Sequence, residues 1–198
     1  MAGELAFAKI TGSGHDFSNK SWSGGEICLP CHIPHNAKAN TEIKVPLWNH
    51  TVTTATFQIY SSTTLKTTTI GQPSASSRAC LSCHDGTVAY NAFGSNKTGT
   101  ESASGALNLG TDLSNDHPVS FTYDKNLSDA DTGLYNPLTQ SVAQLDNKTI
   151  DQAMLIDHKV ECATCHDVHA AKGKASNANL LLVVDNANSA LCLTCHNK

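Results

Sequence analysis

Apolar residues along this chain come in short groups set between long polar stretches. Residues 1–27 carry little pattern, and Gly-rich turns interrupt them at 11–17 and 23–26. Ser23 or Glu26 is placed to open a short helix running into Cys28. Val45-Pro46-Leu47-Trp48 is an apolar anchor that ends in Asn49-His50. From Thr51 to Thr69 threonine dominates, with Phe57, Ile59, Tyr60 and Leu65 scattered through it. These β-prone residues predict a short hairpin or an edge strand. Residues 94–115 are rich in Gly, Ser, Asn and Thr and read as a surface loop. Asn115-Asp116 marks a turn, and Pro118 keeps His117 out of a helix interior. Residues 124–149 are again loop-like, and Thr149–Ile156 predicts a helical turn or a strand. No apolar run approaches the ~18 residues of a membrane-spanning helix. The pattern predicts a mostly irregular fold, with few short helices and minimal strand.

Composition makes that pattern a problem. The 198 residues bound one or two domains, but only 15% are charged and 6% aromatic. Such a chain has too little apolar material for a large core of its own. The cysteines change the picture. All eight fall in four groups: Cys28-Leu29-Pro30-Cys31-His32, Cys80-Leu81-Ser82-Cys83-His84, Cys162-Ala163-Thr164-Cys165-His166 and Cys192-Leu193-Thr194-Cys195-His196. Each reads C-x-x-C-H, the attachment sequence of c-type haem. Two thiols three residues apart add to the two vinyl groups of one porphyrin, and the next His becomes the proximal iron ligand. The expectation is four covalently attached haem c groups, with His32, His84, His166 and His196 as proximal ligands. Zinc ribbons would use the same cysteine pairs but do not need a His after each one. A thioredoxin-like pair would sit in a βαβ pattern, which is absent. A disulfide framework does not call for three-residue spacing in every pair. Four porphyrins supply the missing interior, so the fold expected is a multihaem cytochrome wrapped around its haems and largely unfolded without them.

The motifs also show an internal duplication. The first and third continue as CHxxH, to His35 and His169, while the second and fourth are plain CH. The flanks agree, with Ser77–Cys83 paralleling Ser189–Cys195. A single domain, 1–198, is therefore read as two dihaem units. They cover about 1–93 and 112–198, joined by a loop at 94–111, with a long insertion at 37–79 in the first.

The sixth iron ligand decides between conduction and catalysis. Besides the proximal set there are His15, His35, His50, His117, His158 and His169, and only two Met, Met1 and Met154. This points to bis-His ligation and low potentials. His32 and His35 are too close in sequence to occupy opposite faces of one iron. His35 should therefore ligate the second haem, and by the same argument His169 the fourth. His15 and His117 are then assigned to the first and third, with His50 a fifth candidate and His158 a sixth. Spare histidines, and the absence of any C-x-x-C-K motif, argue for electron transfer and against an enzyme with an open iron site.

The formal charge of −4, made more negative by haem propionates, argues against nucleic acid as a partner. Residues 1–7 lack the features of a signal peptide. Haem c is attached outside the cytoplasmic membrane, so the sequence reads as a processed or recombinant form of an exported protein, with Met1 an addition. Its location is then extracellular, at the cell surface, or periplasmic.

Gly14-His15-Asp16-Phe17-Ser18, Cys31-His32-Ile33-Pro34-His35-Asn36-Ala37, Pro46-Leu47-Trp48-Asn49-His50, Cys80–Ala89, Asp116-His117-Pro118-Val119 and the terminal Cys192–His196 group together resemble exported tetrahaem cytochromes with doubled CxxCH motifs. Among these the chain is most similar to OmcE-type extracellular cytochrome nanowire subunits. That resemblance implies a head-to-tail homopolymer with a continuous haem chain, and one haem completed by a His of the adjacent subunit. His15 and His50 are the best placed for that role. It also implies redox partner cytochromes and extracellular acceptors such as metal oxides. The alternatives are a discrete periplasmic carrier or the haem subunit of a redox complex.

Overall fold

A computed structural model describes residues 10–35, 37, 43–67, 69–169 and 181–198. The chain forms two compact units. One is Phe17–Phe121; the other combines Met1–Asp16 with Thr122–Lys198. Each carries two of the CxxCH motifs. Both are mostly coil with a few short helices; among the described residues Phe17–Phe121 is tied internally by isolated bridges, and the other unit also holds a two-residue strand pair. Among the described residues no helix is long and apolar enough to cross a membrane.

In the unit Phe17–Phe121 the longest helix is α1, Ala75–His84. Ser74 precedes it in extended conformation, and Asp85 and Gly86 end it. Gly86 has φ +73, and a Cβ there would lie 2.6 Å from the Asn108 side chain, so glycine is required twice over. The helix buries Ala75, Ser77, Ala79, Leu81 and Ser82. Leu81 joins Phe57 and Leu113 in a small core, with Ala55 and Ile59 packed against it.

The threonine-rich stretch meets that core without forming the expected hairpin or strand. Gln58 makes one isolated parallel bridge to Asp112. The backbone of Phe57 is satisfied by a side chain instead. Its N–H donates to Gln72 Oε1 at 2.7 Å, and its carbonyl accepts from Gln72 Nε2 at 2.9 Å. A glutamine amide thus replaces a neighbouring strand. The stretch 94–111, expected to join two units, lies inside this one. Tyr90 N–H donates to the Glu101 carbonyl and Leu109 N–H to that of His84. Glu101 also accepts from Lys20 and from the Trp22 indole. A polar composition marks exposure but does not reveal such backbone bonds.

The other unit contains α2, Lys125–Ala130, capped by the Asp124 carboxylate, which accepts from Leu127 N–H at 3.0 Å. Ser141–Val142 pairs antiparallel with Lys148–Thr149, through Ser141↔Thr149 and Val142↔Lys148. Thr149 then opens the helical turn α3, Ile150–Ala153, with a reciprocal capping box to Gln152. Residues 124–149 are therefore less loop-like than their composition suggests, and the segment from Thr149 resolves as a helical turn. Helical turn α4, Cys162–Cys165, and helix α5, Ala190–Cys195, carry the remaining motifs. Ile150, Met154, Val183 and Val184 are fully buried here.

Candidate haem attachment sites

The first, third and fourth motifs are each one turn ending in a His that forms an isolated β-bridge, to Trp48, Leu182 and Leu134, while the second closes the ten-residue α1 with His84 still helical. The His N–H donates to the carbonyl of the first cysteine: His32 to Cys28, His166 to Cys162 and His196 to Cys192, at 2.8–3.0 Å. Cys80–His84 is the last stretch of α1. The turn brings both thiols to one side, as residues three apart on a helix are.

A return segment then clamps three of the four turns from both sides. Ile33 N–H donates to the Leu47 carbonyl and Asn49 N–H to that of Cys31. Asp167 N–H donates to Leu181 and Val183 N–H to Cys165. Asn197 N–H donates to Gly133 and Tyr135 N–H to Cys195. In the first and third motifs the accepting leucine stands the same distance downstream, and both leucines adopt positive φ, 56° and 50°. A branched residue rarely does so, and the strain is held by the clamp. The long insertion of the first unit therefore begins after this return segment and not at residue 37. The second motif differs, with Leu109 N–H donating to the His84 carbonyl from one side.

The site chemistry fits a covalently bound porphyrin. All eight cysteines are free thiols. Among the described residues, no three His, Cys, Asp or Glu side chains converge as a bare metal ion would need. His32 Nδ1 lies 2.8 Å from the Pro46 carbonyl, and His84 Nδ1 2.8 Å from that of Leu107. With Nδ1–H donating there, each ring turns a lone pair on Nε2 outward for iron. Leucines stand exposed beside these rings: Leu47, Leu107 and Leu109, with Leu193 inside the fourth motif. A flat apolar group covering them would remove that exposure. The buried Trp48 indole N–H has no hydrogen-bond partner, and the Trp48 ring stands edge-on to both His32 and His50, at 6.1 and 6.2 Å.

The thiols also report how the motifs are paired. Burial, and then Cys31 and Asp85, push the Cys83 thiol up to about 12. Burial, and then Cys165 and Cys192, do the same for Cys195, also to about 12. Cys31 and Cys165 are pushed up to about 11, mainly by burial. Within each unit the second cysteines of the two motifs are neighbours. Groups attached there would lie close together. Thiols held protonated in this way are poor nucleophiles at neutral pH.

The six further histidines divide three to each unit. His35, His50 and His117 belong with the first and second motifs; His15, His158 and His169 with the third and fourth. His50 is buried and sits at the second motif, its Nε2 3.5 Å from Cys83 Sγ. Both its ring nitrogens face carbonyls, of Thr51 and Ala89, and burial lowers its pKa below the ordinary imidazole value. His117 turns Nδ1 to the Pro118 carbonyl at 3.0 Å. His35 is exposed, and nothing described here brings it to the second motif. His15 lies in a turn in which its N–H donates to Ser13 Oγ. His169 N–H donates to Asp167 Oδ1 at 3.0 Å. His158 donates from Nδ1 to Asp151 Oδ1 at 2.6 Å, the arrangement of an ion pair.

Sequence reasoning missed the polar side chains behind the second motif: Thr53, Arg78, Ser82, Asp85 and Thr87. Asp85 directly follows His84, but nothing in that sequence position shows that it is buried. Thiol pairs on one turn, each followed by an imidazole, are the arrangement that c-type haem attachment uses. Residues 157–198 match the family model of the doubled CXXCH motif, which supports a multihaem c-type cytochrome with covalently bound haem c. No curated protein matches the chain.

Proposed function

We propose that this chain is a tetrahaem electron-transfer protein. The observation that carries the reading is the recurrence of the CxxCH turn, two to each compact unit, with three of the four held by backbone bonds from a second segment. Haem iron cycles between ferric and ferrous states and so carries single electrons. The residues supply the rest. The cysteines fix each group covalently, and His32 and His84 are oriented by carbonyl bonds on Nδ1. Backbone clamps hold three of the four turns from both sides, which restrains the spacing of the groups attached there. His15, His35, His117 and His169 are proposed as distal ligands, with His50 in reserve beside Cys83. With both faces of every iron filled, the protein moves electrons and does not catalyse a bond-breaking reaction.

Passage across the cytoplasmic membrane follows from where haem c is attached; a place at the cell surface or beyond rests on the resemblance of the motifs. Head-to-tail polymerisation into a conducting filament, delivering electrons to extracellular acceptors, rests on the resemblance of the motifs and on the surplus of histidines over irons. Mass spectrometry and pyridine haemochrome analysis of mature protein test the cofactor count, with four covalent haems expected. An all-low-spin ferric EPR spectrum tests bis-His ligation; a high-spin signal would open the enzyme reading. Negative-stain microscopy tests assembly, with fibres expected and isolated particles pointing to a discrete carrier.

A further inference from the structure

The second and fourth motifs occupy equivalent places in the duplication but have different surroundings. In the second, the residue after the proximal His is Asp85, whose exposure is only 4%. Its Oδ2 accepts from the Thr53 hydroxyl at 2.5 Å. Its Oδ1 accepts from Thr87 N–H at 2.7 Å and the Thr87 hydroxyl at 2.8 Å. Every contact is a donor to a carboxylate, which suits an ionised group. Among the described residues no cation forms an ion pair with it. The Arg78 guanidinium, two helical turns earlier, donates instead to the Thr53 carbonyl at 3.0 and 3.2 Å. Thr53 is itself fully buried, and its N–H donates to Ser82 Oγ. Asp85 also stands at the C-terminus of α1, where the helix dipole disfavours an anion. A buried negative charge is thus held at an electrostatically costly place by a dedicated set of donors.

In the fourth motif the equivalent residue is Asn197. It is neutral and exposed, and its N–H donates to the Gly133 carbonyl. A fixed negative charge favours ferric over ferrous iron, because reduction adds an electron beside it. Burial preserves that effect, whereas water screens an exposed charge.

We propose that Asp85 holds the haem attached at Cys80 and Cys83 at a lower reduction potential than its counterpart at Cys192 and Cys195. The consequence is a built-in redox asymmetry between the two units: at intermediate applied potential the haem at Cys192 and Cys195 is reduced while that at Cys80 and Cys83 is oxidised. The inference rests on the tetrahaem reading above.

Spectroelectrochemical titration of the mature holoprotein tests it. His84→Met and His196→Met identify the two haems, since a Met ligand raises the potential of the iron it binds. In the unmodified protein the midpoint assigned to His84 should lie below that assigned to His196; equal or reversed midpoints would overturn the proposal. Asp85→Asn should raise the His84 midpoint alone. The ferrous-to-ferric ratio of that haem at fixed applied potential should rise at least on the order of tenfold, the effect of one unit charge at about 12 Å and an effective dielectric near 20. Asn197→Asp should move the His196 midpoint much less. Four unchanged midpoints in Asp85→Asn, or four that shift together, would also overturn it. Should Asp85→Asn fail to mature, the wild-type ordering still decides. A haemochrome count below four in the unmodified protein would instead sink the tetrahaem reading, independently of the potentials.

Discussion

The first and third attachment turns match closely; the second and fourth do not. Residues 28–49 and 162–183 share the same helical turn, the same two-sided clamp at the same spacing and the same positive-φ leucine, Leu47 or Leu181. This holds although Ile33 and Asp167, or Trp48 and Leu182, have little in common chemically. The second motif instead closes a ten-residue helix packed on a buried apolar and polar interior, while the fourth closes the six-residue α5, which buries none of its residues. What is constant is the backbone that presents two thiols and an imidazole. What varies is the medium around the attached group. Attachment geometry is thus held by main-chain bonds that many sequences can make. Electrostatic environment is free to diverge between copies.

The largest expected effect removes what the copies share. Protein made without haem maturation should lose its cooperative thermal transition in far-UV circular dichroism, because the exposed Leu47, Leu107, Leu109 and Leu193 have nothing else described to cover them. A sharp transition in the haem-free chain would show that the polypeptide supplies its own interior.

The next pair separates the copies. Leu81 and Leu193 hold the same place in their motifs, yet Leu81 is 1% exposed in the Phe57–Leu113 core and Leu193 is 45% exposed. Leu81→Ala should cost about 2–5 kcal/mol through lost burial and the cavity left behind. Leu193→Ala should cost less, about 1–2 kcal/mol, through its contact with the porphyrin alone. Chemical denaturation of the two holoproteins measures both, and a loss at Leu193 equal to that at Leu81 would erase the difference between the copies.

Gly86→Ala is a smaller test of the α1 surroundings. The residue has φ +73, and its new methyl would lie 2.6 Å from the Asn108 side chain. The expected cost is about 1–2 kcal/mol, somewhat less if Asn108 swings aside. Gly133→Ala, in the fourth motif's clamp, meets only Asp131 Oδ1 at 3.1 Å and Lys198 Cε at 3.3 Å and should be milder. Melting temperatures of both variants give the order.

The four CxxCH turns were legible in the sequence, because the motif itself fixes residue type and spacing. The irregular fold was legible too, from thin apolar content. The long-range backbone bonds were not. Phe57 reads as a strand residue, but its backbone partner is the side chain of Gln72, fifteen residues away, which no local propensity encodes. Residues 94–111 read as a connector because composition registers exposure and not hydrogen bonding. Nothing in the sequence around Asp85 signals burial, and only tertiary structure reveals that burial and its donors. His50 stood out as the end of an apolar anchor, yet its place beside Cys83 depends on a contact across more than thirty residues. The positions of residues 170–180, which follow His169, lie outside the described residues.

The smallest effect concerns His158, which the sequence alone offers as a sixth candidate ligand. Its hydrogen bond and charge interaction with Asp151 raise its pKa above the ordinary imidazole value. A raised folded-state value means that the pair contributes stability below the unfolded-state pKa and loses it as pH rises through the folded-state pKa. The contribution is small, because the ring is exposed. NMR titration of the diamagnetic ferrous protein should show the His158 ring titrating, and Asp151→Asn should bring its midpoint down toward the ordinary value. An imidazole bound to iron through Nε2 would show no such titration in this range. A His158 signal that stays flat across neutral pH and ignores Asp151→Asn would therefore move this residue from the ion pair to the iron, and would bring the histidine set of its unit closer to that of the other.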